Sequence, residues 1–100
     1  MTTRLGRLRS VGVKQFVDNY LLFQMRATGM MANDEVCDIL IEQGVSKNDA
    51  GAMRRIGSAV KLINDGDAKW ALEYCSAPER RVDVEIKRKA AELVRTGAYK

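Results

Sequence analysis

The spacing of glycines is the sequence feature that most constrains the fold of this chain. Gly29, Gly44, Gly66 and Gly97 separate stretches in which apolar residues recur every three or four positions, the period of a helix that buries one face. Glycine ends helices readily because it adopts the left-handed backbone conformation at no steric cost. No stretch shows the sustained apolar and polar alternation of a strand. The sequence therefore predicts an all-α fold, a small bundle of four to five helices.

Cap residues and apolar periodicity together predict the bounds of these helices. Ser10, Asn33 and Ser46 each stand before an apolar-periodic stretch, where a short polar side chain accepts hydrogen bonds from the first turn. Pro78 disfavours helical geometry in the residue before it and marks a junction. The predicted helices cover about residues 11–28, 33–43, 47–64, 68–76 and 79–96.

The length of 100 residues corresponds to one domain with a modest hydrophobic core. We expect a single helical domain over residues 1–100, in which residues 1–9 form a flexible basic arm with three arginines and no acid. The longest continuous apolar run covers only residues 20–23, whereas a membrane span needs about 20 apolar residues. We therefore expect no membrane partner and a cytoplasmic location.

The residues that most often carry catalysis or bind metals are scarce. The chain has no histidine, and its two cysteines, Cys37 and Cys75, do not form a close pair. A structural zinc site needs about four thiolate or imidazole ligands, so no metal is expected. No phosphate-binding glycine motif occurs either. We expect no cofactor, no enzymatic activity and two buried thiols in a reducing compartment.

Charge is distributed in three blocks of alternating sign. The formal net charge is +4 over the whole chain, and it is +4 over residues 1–33, −4 over residues 34–49 and +4 over residues 50–100. Such a layout suits contact with a polyanion on some faces only. It equally suits a protein partner that carries complementary patches.

The stretch "IEQGVSKNDAGAMRRIG", residues 41–57, contains the strongest candidate motif. Gly44 ends one predicted helix and Ser46 caps the next, with Val45 between them as a core residue. This outline resembles the helix-turn-helix element of DNA-binding proteins over some 20 residues. Leu40 and Gln43 stand where that pattern has a small and an apolar residue, so a plain corner between two helices stays an alternative.

The resemblance implies a small DNA-binding regulator of transcription that uses a helix-turn-helix-like element at about residues 34–62. Asparagine pairs with adenine, arginine and lysine pair with guanine, and serine binds phosphate. A second basic segment near residue 87 would hold backbone phosphates. The predicted DNA-binding residues are Ser46, Lys47, Asn48, Arg54, Arg55, Lys61, Lys87 and Arg88.

The alternative hypothesis is a non-enzymatic adaptor or inhibitor that binds a host protein, of the kind found among accessory proteins of phages and mobile elements. Its docking face would combine the acidic second helix with surplus apolar surface on the first helix. Leu22 and Phe23 widen the apolar surface of that helix beyond one stripe. We therefore predict Leu22 and Phe23 as partner-binding residues, with a homodimer contact as one possible use.

Overall fold

A computed structural model describes residues 3–77 and 82–99 of the chain. Those ranges contain seven α-helices and no strand, so the predicted all-α class is confirmed and the number of helices exceeds the predicted four to five. None of these helices is both long enough and apolar enough to cross a membrane. The helices are α1 (Arg4–Val11), α2 (Val13–Asp18), α3 (Tyr20–Ala27), α4 (Asn33–Glu42), α5 (Asp49–Asn64), α6 (Ala68–Ser76) and α7 (Val84–Thr96).

The N-terminal segment is a packed helix over residues 4–11, and this differs from the flexible arm that we expected. The side chain of Thr3 caps α1 by accepting from the Gly6 N–H at 3.0 Å. Leu8 and Val11 lie three positions apart on one helical face and are fully buried. The Arg7 guanidinium donates to Asp65 at 2.8 Å. Apolar spacing within the basic segment thus gives it a face that packs against α5.

Two breaks divide the first long helix predicted from the sequence. Gly12 separates α1 from α2 with φ +95°, a conformation that glycine adopts and that strains other residues. A Cβ atom at Gly12 would lie 3.1 Å from the Arg55 guanidinium. Asn19 then separates α2 from α3. Ser10, the expected cap, lies inside α1 instead.

The later helices agree more closely with the sequence-based expectations. α4 begins at Asn33, which is therefore its first helical residue and not the predicted cap; the N-cap is Ala32, whose N–H donates to the Glu35 carboxylate at 3.3 Å. α6 has the predicted bounds. α7 begins at Val84 after the cap Asp83, later than the predicted start at about residue 79, and ends at Thr96 as predicted, with Gly97 left-handed after it. The Pro78 junction and the basic pair at residues 80–81 lie outside the described residues.

The core is one cluster of buried side chains to which all seven helices contribute. α5 packs against α1, α3, α4 and α6, while α7 packs against α6 and α2. Phe16 lies at the centre of the aromatic part of the core. Its ring meets Tyr20 edge-on at 5.6 Å and stacks on Phe23 at 6.5 Å between centroids. These contacts hold the α2–α3 segment against the rest of the bundle.

Candidate functional site

The corner between α4 and α5 carries the predicted helix-turn-helix, and its connection is longer than predicted. α4 ends at Glu42 and α5 begins at Asp49, so residues 43–48 connect them. Helix-turn-helix elements use three to four residues here. The cap of α5 is Asn48, whose side chain accepts from the Gly51 N–H at 2.9 Å. Gly44 adopts the expected left-handed conformation with φ +77°.

Of the predicted DNA-binding side chains, one is buried and two form hydrogen bonds within the fold. Ser46 is only 7% exposed, and its hydroxyl has no hydrogen-bond partner among the described residues. The Asn48 amide is occupied by the first turn of α5. The Arg55 guanidinium donates to the Val11 carbonyl at the end of α1. The face of α5 that we expected to meet DNA is therefore partly covered by α1.

The other predicted cations are distributed over two separate helices. Lys47 is exposed in the connection just before α5, and Arg54 is exposed on the outside of α5. Lys61, two turns after Arg54, is exposed and lies 3.8 Å from the Asp65 carboxylate. On α7, Lys87 is half-buried and Arg88 is exposed with Glu85 at 3.9 Å. We call Lys47, Arg54 and Lys61 the basic line of α5.

Internal contacts take up much of the positive charge of the N-terminal helices. Arg4 lies 4.2 Å from the centroid of the Trp70 ring and 3.9 Å from Asp67. Lys14 and Lys89 both pair with Asp18, at 3.5 Å and 3.4 Å. Among the described residues, the ion pairs of Arg4, Arg7 and Lys89 thus connect separate parts of the bundle.

The acidic residues near α4, in contrast, stay exposed and form no ion pair with any residue that the structure describes. Asp34, Asp38 and Glu42 recur every four positions and line the outside of α4. Glu35 lies beside Asp34, and Asp49 stands at the start of α5. We call these five side chains the acidic face.

A surface depression of about 290 Å³ lies within the acidic face. Asp34, Asp38 and Asp49 line it together with Cys37 and Met53. Burial, and then the charges of the three aspartates, raise the pKa of the Cys37 thiol, so the electrostatic potential in the depression is negative. No group of three or more acidic or thiol side chains in the described ranges is arranged to hold a metal ion.

An apolar cleft of about 220 Å³ opens between the α2–α3 segment, α4 and α7. Leu22 lines this cleft and is half-buried, as a partner-binding residue could be. Phe23 does not line it, because its side chain is fully buried in the core. Leu21 is the exposed residue instead, with 58% of its surface accessible. Helical spacing placed Leu21 on the same apolar stripe as the buried Val17, four positions earlier, so no signal in the sequence indicated its exposure.

The two cysteines are free and buried, as the sequence predicted. Burial raises the pKa of the Cys75 thiol from 9.0 to about 12, and that of the Tyr20 hydroxyl from 10.0 to about 12.

The folded protein therefore keeps both protons at pH values where the unfolded chain loses them, so the free energy of unfolding should fall as pH rises from 9 to 12. Urea denaturation across this range measures the slope, and Cys75→Ala should flatten it. An unchanged slope in Cys75→Ala would show that a group other than Cys75 causes the pH dependence of the free energy of unfolding.

Three surfaces therefore stand as candidates for binding: the acidic face, the basic line of α5 and the apolar cleft. The chain matches no known protein family, no curated protein and no solved structure. Function is accordingly inferred from the chemistry of these surfaces alone.

Proposed function

We propose that the protein binds a partner protein through the acidic face and acts by binding rather than by catalysis. The observation that supports this most directly is the contrast in charge pairing. The carboxylates of the acidic face are exposed without ion pairs among the described residues, whereas cations such as Arg4, Arg7 and Lys89 are paired within the bundle. A row of unpaired charges of one sign favours a partner of the opposite sign. This is the adaptor or inhibitor hypothesis.

The chemistry of the depression indicates which partner segment fits. Met53 is 46% exposed and stands among three aspartates. Lysine and arginine bury their aliphatic stems on apolar surface while the charged head reaches a polar group, and methionine adapts its shape to such a stem. We therefore propose a segment rich in lysine and arginine as the ligand. The partner is expected in the cytoplasm, where the free thiols stay reduced.

The second candidate function is DNA binding through the basic line of α5, in a regulator of transcription. Arg54 and Lys61 are two turns apart on one helical face, both are exposed, and the small residue Gly57 lies between them. Such a face can follow a phosphate backbone. Lys87 and Arg88 would add contacts from α7 only if the nucleic acid reached a second helix.

One binding experiment with two probes distinguishes these functions. Fluorescence anisotropy is measured with a lysine- and arginine-rich peptide and, separately, with duplex DNA. For the peptide, Asp38→Asn combined with Glu42→Gln should weaken binding on the order of 5- to 10-fold, because two exposed charges are lost. Glu73→Gln is the control, since Glu73 is an exposed helical acid outside the acidic face and forms no ion pair with another described residue.

Each outcome of this experiment decides between the candidates. Equal peptide affinity in the double variant and in Glu73→Gln would contradict the acidic face as the docking surface. Failure of the peptide to bind at low salt would also contradict the acidic face as the docking surface. Tight DNA binding that weakens when Arg54 and Lys61 become alanine, with a reduced dependence on salt, would establish the second candidate instead.

A further inference from the structure

The side-chain amide of Asn19 is buried and unpaired at the junction between α2 and α3. Asn19 is only 8% exposed. Its backbone N–H donates to Gln15 and its carbonyl accepts from Phe23, whereas its side-chain amide forms no hydrogen bond with another residue that the structure describes. Buried polar side chains are hydrogen-bonded in the large majority of cases. An unpaired amide beside a cleft therefore points to a ligand as its partner.

The apolar cleft of about 220 Å³ is where this amide is accessible, since Asn19 lines it. The side-chain atoms that are both enclosed and unpaired include the Tyr20 hydroxyl but not the Asn19 amide, so the small exposed part of Asn19 includes its amide. A few polar groups among apolar walls are the usual composition of a small-molecule site. The aliphatic walls come from α2, α3, α4 and α7 and include Val17, Leu22, Ile39 and Leu93.

The size and the charge of the cleft limit what it binds. Its volume lies below the roughly 300–1,000 Å³ of sites for drug-sized ligands. Asp18 and Lys89 are the charged side chains among its described lining residues, and they pair at 3.4 Å. A carboxylate ligand would compete with Asp18 for Lys89, and an ammonium ligand would compete with Lys89 for Asp18. The cleft therefore favours a small, uncharged and largely aliphatic ligand.

We propose that the apolar cleft binds a small aliphatic amide, whose carboxamide head pairs with the Asn19 side chain and whose tail lies against the aliphatic walls. An asparagine side chain offers an acceptor oxygen and an NH₂ donor. A carboxamide offers the same set, so the two groups can exchange a pair of hydrogen bonds. Walls from four helices favour a tail longer than that of a glutamine side chain, and hence a free small molecule. The site is separate from the acidic face, because Asp38 and Glu42 do not line the cleft.

Two-dimensional ¹H–¹⁵N NMR of the unmodified chain, titrated with hexanamide, tests the proposal. The side-chain NH₂ signals of Asn19 should shift, with a dissociation constant on the order of 1 mM for a ligand of this size. Propanamide has the length of a glutamine side chain and should bind about 5-fold more weakly or worse, since it buries less aliphatic surface. Hexanoate should also bind more weakly than hexanamide, because its charge competes with the Asp18–Lys89 pair.

Asn19→Leu should weaken hexanamide binding by about 10-fold, since two hydrogen bonds are lost. The variant should stay folded, because the amide bonds no described residue, and circular dichroism checks this. Asn64→Leu is the matched control: Asn64 is exposed at the end of α5 and does not line the cleft, so its affinity for hexanamide should equal that of the unmodified chain.

Three results would overturn the proposal. The first is an Asn19 NH₂ signal that does not move in the unmodified chain at about 20 mM hexanamide, and this decides the matter even where Asn19→Leu fails to fold. The second is unchanged hexanamide affinity in a folded Asn19→Leu variant. The third is propanamide or hexanoate binding as tightly as hexanamide. None of them bears on the acidic face, whose residues lie outside the cleft.

Discussion

Phe23→Ala should lower the free energy of unfolding by about 3–5 kcal/mol, since truncating a buried phenylalanine removes its burial and leaves a cavity. Phe23 is fully buried, and its ring stacks on Phe16 at 6.5 Å with 18° between the planes. Stabilities of small proteins are about 5–15 kcal/mol, so this one change would remove a large share. Leu21→Ala, two positions away, should change the same quantity by less than about 0.5 kcal/mol because the side chain is exposed.

Urea denaturation followed by circular dichroism measures both variants. Low protein concentration keeps association from contributing to the apparent stability. The comparison separates an exposed residue from a core residue, which the sequence alone did not do for this helix. Equal, small effects of the two substitutions would contradict the position of Phe23 in the core.

Arg55→Ala should destabilise the fold by about 1–3 kcal/mol, because the Val11 carbonyl would lose its donor. This carbonyl is one of the last in α1, and such groups have no partner inside their own helix. Arg55 is also half-buried, and its guanidinium lies close to Gly12. Arg54→Ala is the matched control on the preceding residue, and its exposed side chain predicts a change in the free energy of unfolding within about 0.5 kcal/mol.

The comparison of Arg55→Ala with Arg54→Ala also tests whether Arg55 serves to bind DNA. If Arg55 served only to read a groove, Arg55→Ala and Arg54→Ala would have the same stability and differ in affinity. We expect instead that the two variants differ in stability, with the larger loss in Arg55→Ala. Thermal unfolding of the two variants under identical conditions provides the measurement.

The sequence by itself predicted the fold class and most helix ends, because these depend on neighbouring residues. Gly44, Gly66 and Gly97 adopt the left-handed conformation, as expected of helix stops. α6 begins and ends at the predicted residues, and α7 ends as predicted. The free, buried state of both cysteines followed from the apolar stretches around them. Local backbone preference and helical period were sufficient for each of these predictions.

The N-terminal helices were harder to predict because the physical signals there conflict. Arg4, Arg7 and Arg9 suggested a solvated arm, yet Leu8 and Val11 supply enough apolar surface for the segment to pack as α1. Burying this apolar surface depends on α5, which lies against α1 only in the folded chain. The same packing determines the role of Arg55.

Only the tertiary structure decided which charged and apolar residues remain available to a partner. Helical period predicted one basic face for α5, but α1 covers Arg55 and leaves Arg54 exposed. Two residues of α3 that are two positions apart differ likewise, with Leu21 at the cleft and Phe23 in the core. Period assigns a residue to a side of its own helix, whereas exposure depends on which other helices pack against that side.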